Sequence, residues 1–582
     1  MTYRYSKHNI NELFLQLLPV QIFSYVTTSL SGIVNGIFIG RHLSNLDMVS
    51  LGLVNPLTAI ISVISTIISS GAGIICGEYM GKGERDKISK AFSVSIFTLI
   101  GSGIILTAAC LLFAEPIANV LGADALTLNT TTAYIRGISF GILPMIISPC
   151  LMVFLQMENE PKYALLSTVV LAVSNFVLDT VGIKYLNVDI FGVGILTSIS
   201  QLIAMYFLRL RFIKVKTLPR LVKTKDINLC KEIIFIGLPS ALGTVLYAIR
   251  NTVINNYANH IGGNDAVNAL SIVFSSCGPL DAINKGVTST HLMLVSIYVG
   301  EKDRDAIKQL NRTALSYGLI LAFSKMMFIF VFAYKIALLY GASNVVAEMT
   351  EKLYICYSLT MPLNIIASVT RNTHNVLKRV ALCNMLCVLT CIVAPLGMCF
   401  IGSSFLGINA IWNCYWFAEV AVILAVYIVA CIHKRGMVYG FGDLLYIEED
   451  LDLEISKTIS IREMKETVNV SKEIELFCSE NNIDKKRCMI ASLCCEEITT
   501  NIVQHGFPKS KKKNKTIDIY VGIKEDKVNI RIKDNAAAFN PYTKIHNSDD
   551  PSVNVGIKLV SKIAKKMDYQ NYFGLNVLTI KL

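Results

Sequence analysis

The sequence has few charged residues for its length. Of its 582 residues, 16% are charged and 53% are hydrophobic, whereas about a quarter of the residues in soluble globular proteins are charged. It also lacks a Walker-type G-x-x-x-x-G-K-[ST] loop, so transport powered by such an ATPase is not expected. The 16 cysteines have no metal-type spacing, and we interpret them as reduced, small hydrophobic residues. A soluble disulfide scaffold and a disordered chain are both excluded.

The net charge of +12 is unevenly distributed. Residues 441–582 contain 22 basic and 21 acidic residues, whereas residues 1–440 contain 32 basic and 21 acidic residues. Almost the whole excess therefore belongs to the apolar part of the chain. A nucleic-acid-binding protein would carry a basic face on its soluble part, so we expect no nucleic-acid partner.

Twelve apolar runs have the length of about 20 residues that a helix needs to cross a bilayer. They cover roughly residues 10–38, 50–76, 91–113, 131–156, 163–183, 190–211, 232–257, 266–299, 313–334, 352–370, 380–402 and 407–432. Polar residues 6–9 lead into a full-length run without a small-residue cleavage site, which predicts a first span and not a cleaved signal. The sequence therefore predicts a polytopic α-helical membrane protein with twelve spans.

Lysine and arginine residues are concentrated in every second loop. These loops contain Lys82, Arg85, Lys87, Lys90, Lys162, Arg209, Arg211, Lys214, Lys216, Arg220, Lys223, Lys225, Lys231, Lys302, Arg304, Lys308, Arg312, Arg371, Lys378 and Arg379. The opposite loops contain little beyond Arg41, Lys184, Lys335 and Lys352. Because basic loops stay in the cytoplasm, we expect a plasma-membrane protein with both termini in the cytoplasm.

The two halves of the apolar part resemble each other at an offset of about 220 residues. Residues 79–86 (YMGKGERD) align with residues 298–305 (YVGEKDRD), and Leu18-Pro19 aligns with Leu238-Pro239. A parallel six-plus-six repeat is a common plan of secondary transporters. We therefore predict a first lobe at 1–215 and a second lobe at 216–440.

Several segments of the apolar part resemble the multidrug and toxic compound extrusion (MATE) transporters. They are residues 35–41 (NGIFIGR), 51–56 (LGLVNP), 77–83 (GEYMGKG), 134–137 (YIRG) with Pro144, and 175–179 (NFVLD). The resemblance covers about residues 10–435 and implies two six-helix bundles around a central cavity, with efflux driven by H⁺ or Na⁺. Many relatives carry Asp where this chain has Asn35, and an amide cannot take up and release a proton.

Ionisable residues inside spans are costly and are usually retained for function. The first lobe has Asp179 near one end of a span, and the second lobe has a larger set: Arg250, Asp281, Lys285, Lys325 and Glu419. Our hypothesis is that Glu419 and Asp281 form the protonatable or cation-attracting site. The three basic residues would set its pKa or bind an anionic group. The alternative is a set of structural ion pairs, such as Lys325 with Glu419 or the i, i+4 pair Asp281 with Lys285.

The C-terminal part has the pattern of a mixed α/β domain. After a linker at 441–460, residues 517–521 and 528–532 alternate with period two and predict a hairpin. Glu497 and Asn501 share one face of the preceding helix, where a carboxylate and an amide can orient a water and ligate Mg²⁺. A final alternating segment, 577–582, predicts a closing strand.

Residues 461–582 resemble the histidine-kinase-type ATPase domain of anti-sigma-factor serine kinases, an α/β sandwich with the Bergerat (GHKL) fold. The resemblance rests on E-x-x-x-N with H-G at 497–506, D-x-x-x-x-F-x-P at 534–541 and G-I-K-L-V at 556–560. It implies Glu497 as general base, Asn501 as the Mg²⁺ ligand, Asp534 as acceptor of the adenine amino group, and Gly556 in the lid over the phosphates. The chain departs from the family at Ala536 and Asn554, where relatives often have Gly; an Ala forced to positive φ would be strained.

Together these observations predict a MATE-type exporter of small organic molecules, coupled to H⁺ or Na⁺, with a cytoplasmic domain that binds ATP and Mg²⁺ or docks a regulatory protein. Two other classes remain open. One is a membrane-anchored serine/threonine kinase with the helical part as receptor. The other is a flippase for lipids or cell-envelope precursors, for which Arg250, Lys285 and Lys325 would suit an anionic head group.

Overall fold

The computed structural model shows two helical lobes followed by a helix–sheet domain. The described residues are 3–42, 44–215, 219–440, 444–445, 455–510, 515–524, 527–537, 560 and 562–582. The helices of the first lobe are α1 Tyr3–His42, α2 Asn45–Lys82, α3 Arg85–Leu112, α4 Ala114–Val120, α5 Leu128–Ser139, α6 Ile142–Met157, α7 Pro161–Lys184 and α8 Ile190–Lys214. Those of the second lobe are α9 Ile227–Gly300, α10 Arg304–Leu339, α11 Asn344–Ser358, α12 Thr360–Val376, α13 Val380–Val388, a π-helical turn Leu389–Val393, α14 Ala394–Leu406 and α15 Asn409–Lys434.

The loops of the predicted repeat have matching backbone geometry. The loop between α2 and α3 turns at Gly83, whose φ is 72°, and the loop between α9 and α10 turns at Lys302, whose φ is 57°. Both residues lie two positions before the first residue of the next helix, Arg85 or Arg304. The left-handed conformation favours glycine. It therefore costs more conformational energy for Lys302 than for Gly83, the equivalent residue of the first lobe.

Helix α9 reverses direction at Gly263, whose φ of 64° and ψ of −162° are not helical. In a straight helix Ile233 and Ser296 would lie about 95 Å apart. Both nevertheless contact α2 within a short stretch, Ile233 at Gly71 and Ser296 at Gly77. The two halves of α9 therefore run side by side, each long enough to cross a bilayer.

Ten helical segments of the described chain are long and apolar enough to cross a membrane, or eleven if α5 and α6, bent by 46°, form one span. This confirms a polytopic helical protein. The predicted count of twelve is reached only when α5 and α6 count as one span and α9 is divided at Gly263 into two.

The C-terminal domain contains a five-stranded antiparallel sheet and two helices. Its elements are β1 Ile455–Ile461, α16 Met464–Glu480, α17 Lys485–Asn501 with a π-helical turn Ile502–Gly506, β2 Ile517–Lys524, β3 Lys527–Asp534, β4 Lys566–Tyr572 and β5 Leu575–Lys581. The strand order is β1-β2-β3-β5-β4. The predicted hairpin is confirmed by the pairing of β2 with β3, and the predicted closing strand is β5. Strand β1 begins inside the stretch predicted as linker, because Ile455–Ile461 pairs with β2.

Candidate functional site

The two lobes meet through glycines in α2 and α9. A Cβ atom on Gly71 would overlap the carbonyl oxygen of Ile233, and one on Gly237 would overlap that of Ile67. Near these contacts in the chain, the hydroxyl oxygens of Ser70 and Ser240 lie 2.8 Å apart. Helices this close require residues without side chains at the crossing, so the contact depends on both glycines.

A second pair of close contacts joins the repeat loops at the end of the bundle where the C-terminal domain lies; we call this the proximal end. A Cβ atom on Gly81 would overlap the carbonyl oxygen of Ile297, and one on Gly300 would overlap that of Glu78. In the repeat, Gly81 is equivalent to Gly300 and Glu78 to Ile297. The contact is thus reciprocal, as expected for two lobes related by pseudosymmetry.

An ion-pair network closes the same end. Lys378, in the second lobe, lies 3.2 Å from Glu78 in the first lobe and 2.9 Å from Glu232 in its own lobe. Burial alone would lower the pKa of Lys378, but the hydrogen bonds and attraction from Glu232 and Glu78 outweigh it and raise that pKa. The ammonium group therefore stays charged and links the two lobes.

The second-lobe residues predicted from the sequence form a connected polar cluster. Tyr357 donates a hydrogen bond of 2.8 Å to Asp281. Lys325, only 5% exposed, donates to the carbonyl of Leu280 at 3.0 Å and to Asn284 at 2.5 Å. The positive charges of Lys325, Lys285 and Arg250 also act on the Asp281 carboxylate.

Arg250 connects this carboxylate to an aromatic group. Its guanidinium lies 4.5 Å from the ring centre of Tyr247 and 5.2 Å from that of Tyr415. Tyr415 makes an edge contact with Tyr357, the residue that hydrogen-bonds Asp281. Cation–π contacts of this kind stabilise a charge that is removed from water.

Glu419 is the second carboxylate on which the charge of Arg250 acts. It accepts a hydrogen bond of 2.9 Å from Asn364 and is attracted by Arg371 and Arg250. Its predicted pairing with Lys325 is not among the ion pairs of the described residues. Arg371, expected in a loop, instead lies within α12 because that helix continues to Val376.

The other predicted transport residues lie at the edge of this cluster or outside it. Lys285 is exposed and directly precedes Gly286, where a Cβ atom would lie 2.6 Å from a side-chain carbon of Ile22 in the first lobe. Asp179 is fully buried in the first lobe and lies within electrostatic range of Tyr134. The side chain of Asn35 lies outside the described part of the structure.

In the C-terminal domain, Asp534 ends β3 and is 5% exposed. Its Oδ1 accepts hydrogen bonds from the amide of Ala536 at 2.9 Å and from Asn576 at 2.8 Å. Ala536 is not among the described residues with positive φ. The strain expected for an alanine at this position is therefore absent.

Glu497 and Asn501 lie one helical turn apart on α17 and are both half-buried. The amide nitrogen of Asn501 donates a hydrogen bond of 2.7 Å to the main-chain carbonyl of Glu497. The Oδ1 atom of Asn501 is then available to a cation, which is the donor type that Mg²⁺ prefers. Gly556 and Asn554 lie outside the described residues.

Comparison with known families matches both parts of the chain. The MatE family model matches residues 21–181 and 239–401, together more than half of the chain. The chain belongs to the MatE family. Its residues 463–582 match the histidine kinase-like ATPase domain. The MatE segments occupy the two lobes, and the second match begins directly after β1.

Relatives of the MatE part include the "Multidrug export protein MepA" of two staphylococci. The protein of Staphylococcus aureus (strain bovine RF122 / ET3-1) is 26% identical over 340 residues, 57% of this chain and 74% of that protein. That of Staphylococcus haemolyticus (strain JCSC1435) is 28% identical over 306 residues, 50% of this chain and 65% of that protein.

Solved structures show the same MatE fold. One, described as the outward-facing conformation of a multidrug resistance MATE family transporter, has a TM-score of 0.66 at 17% identity and covers 73% of this chain and 97% of that chain. Another, a MOP superfamily transporter from Pyrococcus furiosus described as having a binding pocket of reverse polarity, has a TM-score of 0.65 at 18% identity and covers 71% and 94%. The lobes of this protein therefore have the fold of MATE transporters.

Several residues of the polar cluster in the second lobe were not predicted from the sequence. Tyr357, Tyr415, Asn284 and Asn364 are uncharged, and the search for costly residues in spans considered only charged ones. A search for polar side chains on the same helical face as Asp281 or Glu419 would have found Asn284, three residues after Asp281.

Proposed function

We propose that this protein exports small organic molecules across the plasma membrane by alternating access, driven by H⁺ or Na⁺. Membership of the MatE family, the fold of its lobes and the name of its MepA relatives support this function. The concentration of basic residues in the loops of the proximal end supports a cytoplasmic location for that end and for both termini. The glycine contacts then close the cytoplasmic side of the bundle.

The observation that carries the coupling proposal is the cluster around Arg250. Asp281 and Glu419 both experience the charge of this buried arginine, so protonation or cation binding at one carboxylate changes the field at the other. Asp281 also has Tyr357 as a neutral hydrogen-bond donor. We assign Asp281 and Glu419 to binding the coupling ion. Arg250, Lys285 and Lys325 would balance the negative charge of these two carboxylates. Asp179 is a second candidate carboxylate in the first lobe.

A second candidate is export of an anionic amphiphile, such as a lipid or a cell-envelope precursor. It is favoured by the excess of four basic residues, Arg250, Lys285, Lys325 and Arg371, over the two carboxylates of the cluster, Asp281 and Glu419. Lys285 is exposed beside the lobe boundary, where an acidic head group would meet it first. Flux of anionic against cationic probes separates the two candidates.

Replacing the carboxylates is expected to remove coupling. In proteoliposomes with separate H⁺ and Na⁺ gradients, Asp281→Asn and Glu419→Gln should each lower gradient-driven flux by roughly tenfold or more, the size of a typical coupling free energy between two ligands. Glu115→Gln, a change of the same kind in the short helix α4, is the control and should leave flux unchanged. Wild-type flux in both cluster variants would contradict the assignment.

We further propose that the C-terminal domain binds ATP with Mg²⁺. Asp534 would accept the adenine amino group, Asn501 would ligate Mg²⁺, and Gly556 would belong to the lid. Bound nucleotide with Mg²⁺ would supply a transferable phosphoryl group, for which Glu497 would be the general base. The match to the histidine kinase-like ATPase domain and the buried carboxylate of Asp534 support this proposal.

Removing the Asp534 carboxylate is expected to weaken nucleotide binding. Loss of a hydrogen bond to a buried charged group costs about 1.5–3 kcal/mol, so Asp534→Ala in the full-length protein should raise the Kd for a fluorescent ATP analogue with Mg²⁺ by about tenfold or more. Lys527→Ala, at the other end of the same strand, is the control. Equal affinities of Asp534→Ala and the unmodified protein would show that this carboxylate does not bind adenine.

A further inference from the structure

The sheet of the C-terminal domain has two different faces. Because side chains alternate along each strand, Ile519, Ile532 and Leu578 align across β2, β3 and β5 and pack with α16 and α17 in one apolar cluster. The opposite face carries Tyr520, Arg531 and Lys533, among others. A polar sheet face of this kind ordinarily faces water.

In this protein the polar face packs against the proximal end of both lobes. Tyr572, Phe573, Leu575 and Val577 of β4, β5 and their turn are at most 8% exposed, and they belong to the same apolar cluster as the helices of the lobes. The side chains of Arg531 and Lys533 are only 11% and 13% exposed. The C-terminal domain therefore covers the proximal end of the bundle.

Glu301, in the repeat loop of the second lobe, is the central contact. Its side chain is completely buried. Lys533 forms an ion pair with Oε2, and Tyr572 donates a hydrogen bond of 2.5 Å to Oε1. Burial alone would raise the pKa of Glu301, but Lys533, Arg531 and the hydrogen bond from Tyr572 lower it. All three partners come from the C-terminal domain. These partners therefore compensate the buried negative charge of Glu301 only while the domain is docked.

Arg531 contacts both lobes with one guanidinium group. Its Nη1 donates to the carbonyl of Glu301 at 3.1 Å, and its Nη2 donates to the carbonyl of Gly81 at 3.4 Å. Gly81 and Glu301 lie in the equivalent loops of the internal repeat. Separating the lobes at this end would therefore break at least one of these bonds.

Two more contacts fix the domain on the first lobe. Asn9 of α1 donates to Asp518 at 2.6 Å and accepts from Thr516 at 2.6 Å. A Cβ atom placed on Gly83 would lie 3.3 Å from a carboxylate oxygen of Asp568 and 3.9 Å from the Cβ of Thr579. The domain is thus held by α1, by both repeat loops and by its own apolar turn.

We propose that the C-terminal domain is an internal clamp, which holds the two lobes together at the proximal end and releases the first lobe before that end can open. The polar sheet face is in this way a docking surface whose partner is the chain's own lobes, and not a separate regulatory protein. The clamp rests on the proposed function, because alternating access requires the proximal end to open once in each cycle.

A disulfide across the docking surface tests the clamp. The Cβ separation of 3.9 Å between positions 83 and 579 lies within the range found in disulfides. In full-length Gly83→Cys/Thr579→Cys protein in proteoliposomes, oxidation is expected to form the cross-link and to lower flux at least tenfold. Dithiothreitol should restore the flux, and each single variant controls for the native cysteines. A complete cross-link with unchanged flux, or no cross-link at all, would overturn the proposal.

A second measurement does not depend on transport. Cysteine at position 240, in the contact between the lobes, should react with a maleimide several-fold faster in Ser240→Cys/Lys533→Glu than in Ser240→Cys alone. Adding Glu301→Lys reverses both charges of the pair and should restore slow labelling. Equal labelling in all three proteins would refute the clamp, whereas absence of flux in the reduced disulfide variant would count only against the transport proposal.

Discussion

Oxidation of a Ser70→Cys/Ser240→Cys variant is expected to abolish transport. The two hydroxyl oxygens lie 2.8 Å apart, one on α2 of the first lobe and one on α9 of the second. Two thiols in these places can close a disulfide with little movement of the backbone. The bond would hold the lobes together at the crossing of α2 and α9, and a transporter that cannot separate its lobes there completes no cycle.

The first lobe offers a matched control. Ser50 of α2 and Thr130 of α5 have hydroxyl oxygens 2.7 Å apart, and both helices move with the same lobe. A Ser50→Cys/Thr130→Cys disulfide should therefore leave flux close to that of the reduced protein. Flux in proteoliposomes before and after dithiothreitol is the measurement. If both disulfides inhibited equally, the loss would reflect general damage; if neither did, the lobes would not move apart at Ser70.

Gly237→Leu is expected to block the cycle because it prevents the lobes from closing, whereas the disulfide prevents them from separating. Any Cβ atom at this position overlaps the main-chain carbonyl oxygen of Ile67, and a main-chain atom cannot turn aside as a long side chain can. The helices would have to separate, so the closed proximal contact would be lost and flux should fall to background. Labelling at the lobe boundary from the proximal side should rise at the same time.

Helix propensity cannot account for such a loss. Replacing Gly by another residue inside a helix ordinarily stabilises the helix, by roughly 0.5–1 kcal/mol for Ala. Gly101→Leu is the matched control, because a Cβ atom on Gly101, inside α3, meets no other atom within 4 Å. It should keep normal flux. Equal flux in the Gly237→Leu and Gly101→Leu proteins would disprove a close α2–α9 contact in the working transporter.

Much of the membrane part could be predicted because the bilayer imposes a length on each apolar segment. The break of α9 at Gly263 was implied by two separate apolar runs, 232–257 and 266–299. The prediction that Arg371 lies in a loop was wrong, because it took the end of the apolar run as the end of the helix. The apolar run ends at 370, but α12 continues to Val376 because the protein interior can pair polar residues. Hydropathy reports the solvent preference of a residue and not its partner.

The glycine contacts show a related limit. The alignment of residues 79–86 with 298–305 identified two equivalent loops. It did not show that Gly81 and Gly300 each pack on the other loop, because reciprocal packing depends on the orientation of the two lobes. For Asp281 and Glu419, charge and depth indicated candidates, whereas their partners Tyr357 and Asn364 follow from how the helices assemble.

The apolar spans, the repeat that divides them into two lobes, and the alternating strands of the C-terminal sheet could all be predicted from the sequence. Each of these follows from a local period or length. The burial of the polar face of the sheet follows instead from the way the domain packs on the lobes. Arg531 and Lys533 have the pattern of residues that face solvent, and their partner Glu301 lies about 230 residues earlier in the chain. A local pattern cannot distinguish water from a complementary carboxylate, since both satisfy the same charges.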